Sequence, residues 1–313
     1  MLCKRPIFVV SAGGLVQCRQ CLPCRINRRR DWTMRLLLEK NTSPRSLWVT
    51  LTYAPAHLPT SYTDANGVVY SHSSGVLNPS HLKDFFKRLR KYLPPRSLRY
   101  FACGEYGDKS WRPHYHICLF GVGVEATDFV RKAWSLPYSG GRSPLGLVHI
   151  GTLTQQSAQY TCGYALKKMT SSKDDRLEGR FPEFTRQSQG IGKFAVPVIV
   201  KSFSKLKNFK NLLTSCEIPR TINLGGKTYG LGRYIYSKIL HSLGVYDVVK
   251  SFNLSVFKAK MSALRACGER TFPFVAPSVA FATETGYSRT FSLSINKQSA
   301  RQLIFGVSRR VLI

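Results

Sequence analysis

Two histidines one residue apart, His114 and His116, are the first residues in this chain whose types and spacing suggest chemistry. They lie in HYHICLFG (114–121), an apolar and β-branched run that reads as a strand. In a strand, residues i and i+2 face the same side, so the two imidazoles converge on one point. Glu105 ends a second strand-like run, LRYFACGE (98–105), and the link between the runs holds Gly107, Asp108 and Pro113. That pattern predicts an antiparallel hairpin that brings the carboxylate to the face of the imidazoles. Two nitrogens and one carboxylate leave positions open for water and a phosphate oxygen. This suits Mg²⁺ or Mn²⁺ acting as a Lewis acid on a phosphodiester.

Tyr160 and Tyr164 are four residues apart, and Lys167 and Lys168 follow within a turn. A helix opening at Thr154 and running to about 169 puts both phenols on one face. A phenol can serve as a covalent nucleophile, and an ammonium can offset charge on phosphoryl oxygens. The competing reading is an aromatic stripe that packs the helix on a sheet. Gly163, between the tyrosines, costs about 1 kcal/mol relative to Ala in a helix interior. Close approach of DNA or of the sheet would account for it.

A second cluster is C-x-x-C-x-x-C at Cys18, Cys21 and Cys24, with Cys3 upstream. Four thiolates suffice for tetrahedral zinc. Free thiols and an iron–sulfur cluster are the other readings, although the Pro that usually follows a fourth cluster cysteine is missing. RINRRRDWTMRLLLEK (25–40) follows at once and reads as an amphipathic basic helix. In it Arg25, Arg28, Arg29 and Arg30 are candidate phosphate contacts.

The elements that must position these groups follow in order. A strand is predicted at 46–53, and a Pro-, Ser- and Thr-rich excursion or hairpin at 54–77. A helix begins at Asn78 or Ser80 and carries Leu82, Phe85, Phe86, Leu89 and Leu93 on one face. Next come the two strands above, a short helix at 125–134, a strand at 147–153 and the tyrosine helix. Strands and helices in that order predict an α+β domain with an antiparallel sheet. Three regions result: a Cys-rich basic helical element at 1–45, a catalytic domain at 46–170, and a basic C-terminal extension of unassigned role at 171–313. Past Thr170 the pattern weakens, apart from a helix near 234–243.

Lys and Arg number 47 against 16 Asp and Glu, a net charge of +31. The excess is +8 in residues 1–45, +8 in 46–170 and +15 in 171–313. A fold gains nothing from such repulsion, and a polyanion relieves it. No apolar run approaches the roughly 18 residues of a spanning helix, and residues 1–6 lack a signal-peptide core, so a membrane partner is not expected. Nine cysteines, an odd number, in a chain with no secretory signal fit a reducing cytoplasm better than a disulfide scaffold.

Four stretches carry a family resemblance: WVTLTY (48–53), FACGEYG (101–107), RPHYHICLF (112–120) and YTCGYALKK (160–168). In this order they resemble the HUH endonucleases, and more closely the replication initiators of microviruses, small single-stranded DNA phages of the gokushovirus type. The resemblance covers roughly residues 18–170, with weaker likeness at 182–192. It implies a split ferredoxin-like sheet, a metal held by His114, His116 and Glu105, and Tyr160 and Tyr164 as alternating nucleophiles. It further implies rolling-circle initiation: a phenolate attacks origin DNA, leaves a 5′-phosphotyrosine and a free 3′-OH, and the strand is later rejoined as a circle. Origin DNA, single-stranded or supercoiled, would be the substrate. Host polymerase and helicase would be the partners, and the host bacterial cytoplasm the location. One departure is that Tyr164 keeps the Tyr-x-x-Lys spacing through Lys167, whereas Tyr160 meets Gly163 there. A basic, non-catalytic DNA-binding protein with a zinc element is the alternative, and a hydrolase using water is a third reading.

Overall fold

Five alternating segments build a single antiparallel sheet in the computed structural model, which describes residues 3–9, 14–95, 97–163, 174–252 and 255. The strands are β1 (Ser46–Thr52), β2 (Arg99–Tyr106), β3 (Pro113–Phe120), β4 (Val148–Thr152) and β5 (Phe184–Gln187). Their spatial order is β4-β1-β3-β2-β5, every pair antiparallel. The strand bearing both histidines, β3, is therefore central. The helices are α1 (Leu22–Thr42), α2 (Pro79–Tyr92), α3 (Thr127–Ala133) and α4 (Gln155–Gly163).

The period of two decides which face each strand residue serves. Leu47, Val49 and Leu51 of β1 bury against Leu82, Phe85, Phe86 and Leu89 of α2 and Val130 and Ala133 of α3. Residues of opposite parity, with Phe101, Cys118 and Phe120, pack on Leu36 of α1 and on Ala158 and Cys162 of α4. Helices thus cover both faces. The expected cap of α2 is Asn78, whose side chain accepts from the backbone N–H of Ser80 and His81. Glu39 of α1 is fully buried. It pairs with Arg99 of β2 and accepts from the Gly192 N–H at 2.7 Å, so its charge is matched.

Most expected elements form, with two additions. Residues 184–187 join the sheet as its edge strand, although that stretch reads as polar and interrupted. A short edge strand has one side open to water and so lacks a hydrophobic signature. A hairpin of Ser135–Tyr138 with Gly141–Pro144 also went unread.

The described chain divides into two units: residues 29–195, which hold the sheet, and the described residues to Arg28 with those from Val196. The latter contain a small hairpin, Ile7–Val9 with Gly14–Val16. They also contain helices α5 (Val196–Ser204), α6 (Phe209–Thr214) and α7 (Arg233–Ser242), and a hairpin of Thr221–Leu224 with Lys227–Gly230. Among the described residues no helix is long and apolar enough to cross a membrane.

Candidate active site

Register brings the donor set together. Glu105 on β2 pairs directly with His114 on β3, and Thr52 and Thr50 of β1 flank His114 and His116 from the other side. The three donor residues converge, with Glu105 Oε1 2.6 Å from His114 Nε2 and 3.0 Å from His116 Nε2. Glu105 is only 2% exposed, so it is not a solvated strand-end carboxylate. Burial pushes its carboxyl up, but hydrogen bonds and charge from His114 and His116 outweigh this and hold it below the usual carboxylate range.

The outer partners fix the rings. His114 Nδ1 lies 3.1 Å from the Arg112 carbonyl oxygen. A carbonyl only accepts, so Nδ1 carries the proton and a neutral His114 presents its Nε2 lone pair to Glu105. A lone pair facing a carboxylate oxygen requires a proton or a cation between them. Thr50 Oγ1 shares a 2.9 Å hydrogen bond with His116 Nδ1 and turns the Nε2 of that ring toward the same point. Neighbouring donors on an ion with octahedral bonds of 2.0–2.1 Å lie about 3 Å apart. Glu105, His114 and His116 therefore fit a divalent ion, with the second shell that histidine ligands usually have.

Beside this cluster stands α4. The Tyr160 ring meets the His116 ring edge-on, centroids 5.1 Å apart, and Tyr160 is 50% exposed. Trp48 of β1 lies between the two: it stacks on His116 at 5.4 Å and meets Tyr160 edge-on at 6.1 Å. Its indole N–H donates to Thr161 Oγ1 at 3.0 Å, tying α4 to the sheet. His149 of β4, to which the sequence assigned no role, meets the other edge of Trp48. Thr50, Trp48 and Thr161 are participants that motif reading missed. Their one signal is that Trp48, Thr50 and Thr52 share the parity opposite Leu47, Val49 and Leu51.

Tyr164, Lys167 and Lys168 lie outside the described residues. Gly163 has open space around it, for a Cβ there would meet nothing within 4 Å. Close approach of the sheet is thus not what the glycine serves. Cys103, Cys118 and Cys162 are buried in the sheet and α4, and burial pushes the Cys118 thiol up to about 12. Such thiols make poor nucleophiles.

Of the arginines, Arg28 and Arg30 are exposed and Arg25 and Arg29 half-buried. Arg29 Nε donates to the Gln159 carbonyl at 3.2 Å, a bond that holds α4 beside α1. The cysteines Cys3, Cys18, Cys21 and Cys24 form the second group able to hold a metal, their sulfurs within 4.8 Å of one another.

Comparison with known proteins supplies the biological context. Residues 46–169 match the model of the replication-associated protein ORF2 family. Replication-associated protein ORF2 of Spiroplasma virus 4 is 36% identical over 187 residues, covering 56% of this chain and 55% of the relative. Replication-associated protein VP4 of Bdellovibrio phage phiMH2K is 29% identical over 198 residues, covering 56% of each. Replication-associated protein ORF4 of Chlamydia phage 1 is 25% identical over 241 residues, covering 69% and 51%. The chain thus spans about half the length of these relatives. No solved structure matches it. The matched segment contains the sheet strands β1 to β4, all three donor residues and Tyr160, and on that footing the chain is similar to the replication initiators of microviruses.

Proposed function

We propose that this chain nicks and rejoins origin DNA through a tyrosine–phosphate intermediate, with a split ferredoxin-like HUH sheet as its catalytic scaffold. The observation that carries this reading is the half-exposed Tyr160 ring set edge-on against His116, one of three converging donors. Glu105, His114 and His116 would hold Mg²⁺ or Mn²⁺, which when bound supplies Lewis-acid stabilisation of charge on a phosphodiester.

The remaining work falls to the chain. The Tyr160 phenolate oxygen attacks the scissile phosphorus; the bond from phosphorus to the 3′ oxygen breaks, leaving a 5′-phosphotyrosine and a free 3′-OH. The phosphodiester count is unchanged, so a later attack by a 3′-OH reseals the strand without ATP. Trp48 and Thr161 fix the height of α4, while Arg28 and Arg30 track phosphates. Tyr164, with Lys167 and Lys168, is the second nucleophile and its charge partners, and it cuts the regenerated origin. Host polymerase and helicase would extend the 3′ end in the host cytoplasm.

A labelled origin oligonucleotide tests the proposal by covalent adduct on a denaturing gel. Wild type with Mn²⁺ forms the adduct. Tyr160→Phe with Tyr164→Phe forms none, because the rings still pack but neither carries a nucleophile. Each single variant still forms some. An adduct in the double variant overturns the tyrosine assignment. DNA binding without any adduct in wild type favours the alternative, a non-catalytic DNA-binding protein.

A further inference from the structure

Residues 1–30 contain no Asp or Glu, yet they carry Lys4, Arg5, Arg19, Arg25, Arg28, Arg29 and Arg30. The described part folds as a hairpin of two three-residue strands and the first turn of α1. Such a segment cannot bury enough apolar surface to order itself, and elements of this size are ordinarily closed by a metal or disulfides.

The four cysteines converge where this closure is needed. Cys3 precedes the first strand, Cys18 follows the second, Cys21 stands just before α1, and Cys24 is buried in its first turn. Cys3 Sγ is 3.8 Å from Cys21 Sγ, and Cys18 Sγ is 3.9 Å from Cys24 Sγ. A disulfide needs sulfurs about 2.05 Å apart, so these pairs are not bridges. Four sulfurs at the corners of a tetrahedron of 2.3 Å zinc–sulfur bonds lie about 3.8 Å apart. Backbone N–H groups also aim at the sulfurs: Cys18 at Cys3 (3.3 Å), Cys21 at Cys18 (3.4 Å) and Lys4 at Cys21 (3.5 Å). N–H donors and a local excess of cations both favour thiolates over thiols.

We propose that Cys3, Cys18, Cys21 and Cys24 bind one Zn²⁺ as a closed structural site that folds the N-terminal hairpin onto the start of the arginine-bearing helix. All four positions are filled by sulfur, which leaves none for water or substrate and separates this site from the Glu105, His114 and His116 set. A four-iron cluster would need its cysteines at separate corners of a cube, further apart than these sulfurs stand.

Elemental analysis of the full chain, purified reduced and without chelator, tests this. Wild type and His116→Ala each contain about one zinc per chain, the stoichiometry of a single four-cysteine site. Cys18→Ser with Cys21→Ser contains essentially none. Should that variant fail to fold, the intact wild type still decides. Titration with an organomercurial releases zinc to a dye in step with modification of the cluster thiols. Zinc-free wild type, zinc lost in His116→Ala but kept in the cysteine variant, or iron with visible charge-transfer bands each overturns the assignment. None of these readouts depends on whether the chain cuts DNA.

Discussion

Thr50 touches the far side of the His116 ring, so it affects the donor set without belonging to it. Thr50→Val preserves shape and deletes the hydroxyl. Losing such an outer partner costs about 10–100-fold in metal affinity. Adduct formation titrated with Mn²⁺ should therefore need correspondingly more metal, with the maximum restored at saturation. An unchanged midpoint would refute the role given to Thr50. His114, His116 and Glu105 were legible in the sequence because period-two alternation and a short hairpin are local rules. Thr50 was not, since its partner lies 66 residues away and only strand register unites them. Gly163 was legible as an anomaly, but the sheet does not supply its reason.

Among elements, the tyrosine helix is held by few polar bonds, and Trp48 makes one of them. Trp48→Phe keeps an aromatic ring over His116 and deletes the indole donor. Thr161 Oγ1 still donates to the Ser157 carbonyl, so no buried hydroxyl is stranded. A net hydrogen bond is worth about 1 kcal/mol, so the melting temperature should drop by about 2–4 °C. Adduct yield should fall while DNA affinity stays unchanged, because α4 loses its set height. Weakened binding with normal cleavage of bound DNA would instead place Trp48 on the DNA track. Elements with strong internal periodicity, α2 and β1 to β3 above all, were readable from the chain. β5 was not: it exists because β2 offers an open edge, and FTRQ carries almost no pattern of its own.

For the whole molecule, the governing quantity is the net charge of +31. If the basic surface follows a DNA backbone, counterion release makes affinity fall by on the order of 10³-fold or more between 50 and 200 mM salt. Fluorescence anisotropy with single-stranded DNA measures the slope, and a flat response would rule out phosphate tracking. Composition alone announced a polyanionic partner. It could not say that the chain forms two units, because unit boundaries are set by contacts and not by charge.

The β2–β3 hairpin has a consequence for how such a centre comes into being. Its three donors lie within twelve residues of chain, Glu105 to His116, on two strands joined by a short link. Closing so short a loop costs little chain entropy, and contacts of low sequence separation form early in folding. The metal-binding geometry can therefore be in place while α4 is still undocked, which makes the donor set an inheritance of one hairpin and the nucleophile a later addition to it. Changes in α4 can then retune which phenol attacks, and how readily, over evolutionary time without unmaking the cradle beneath it.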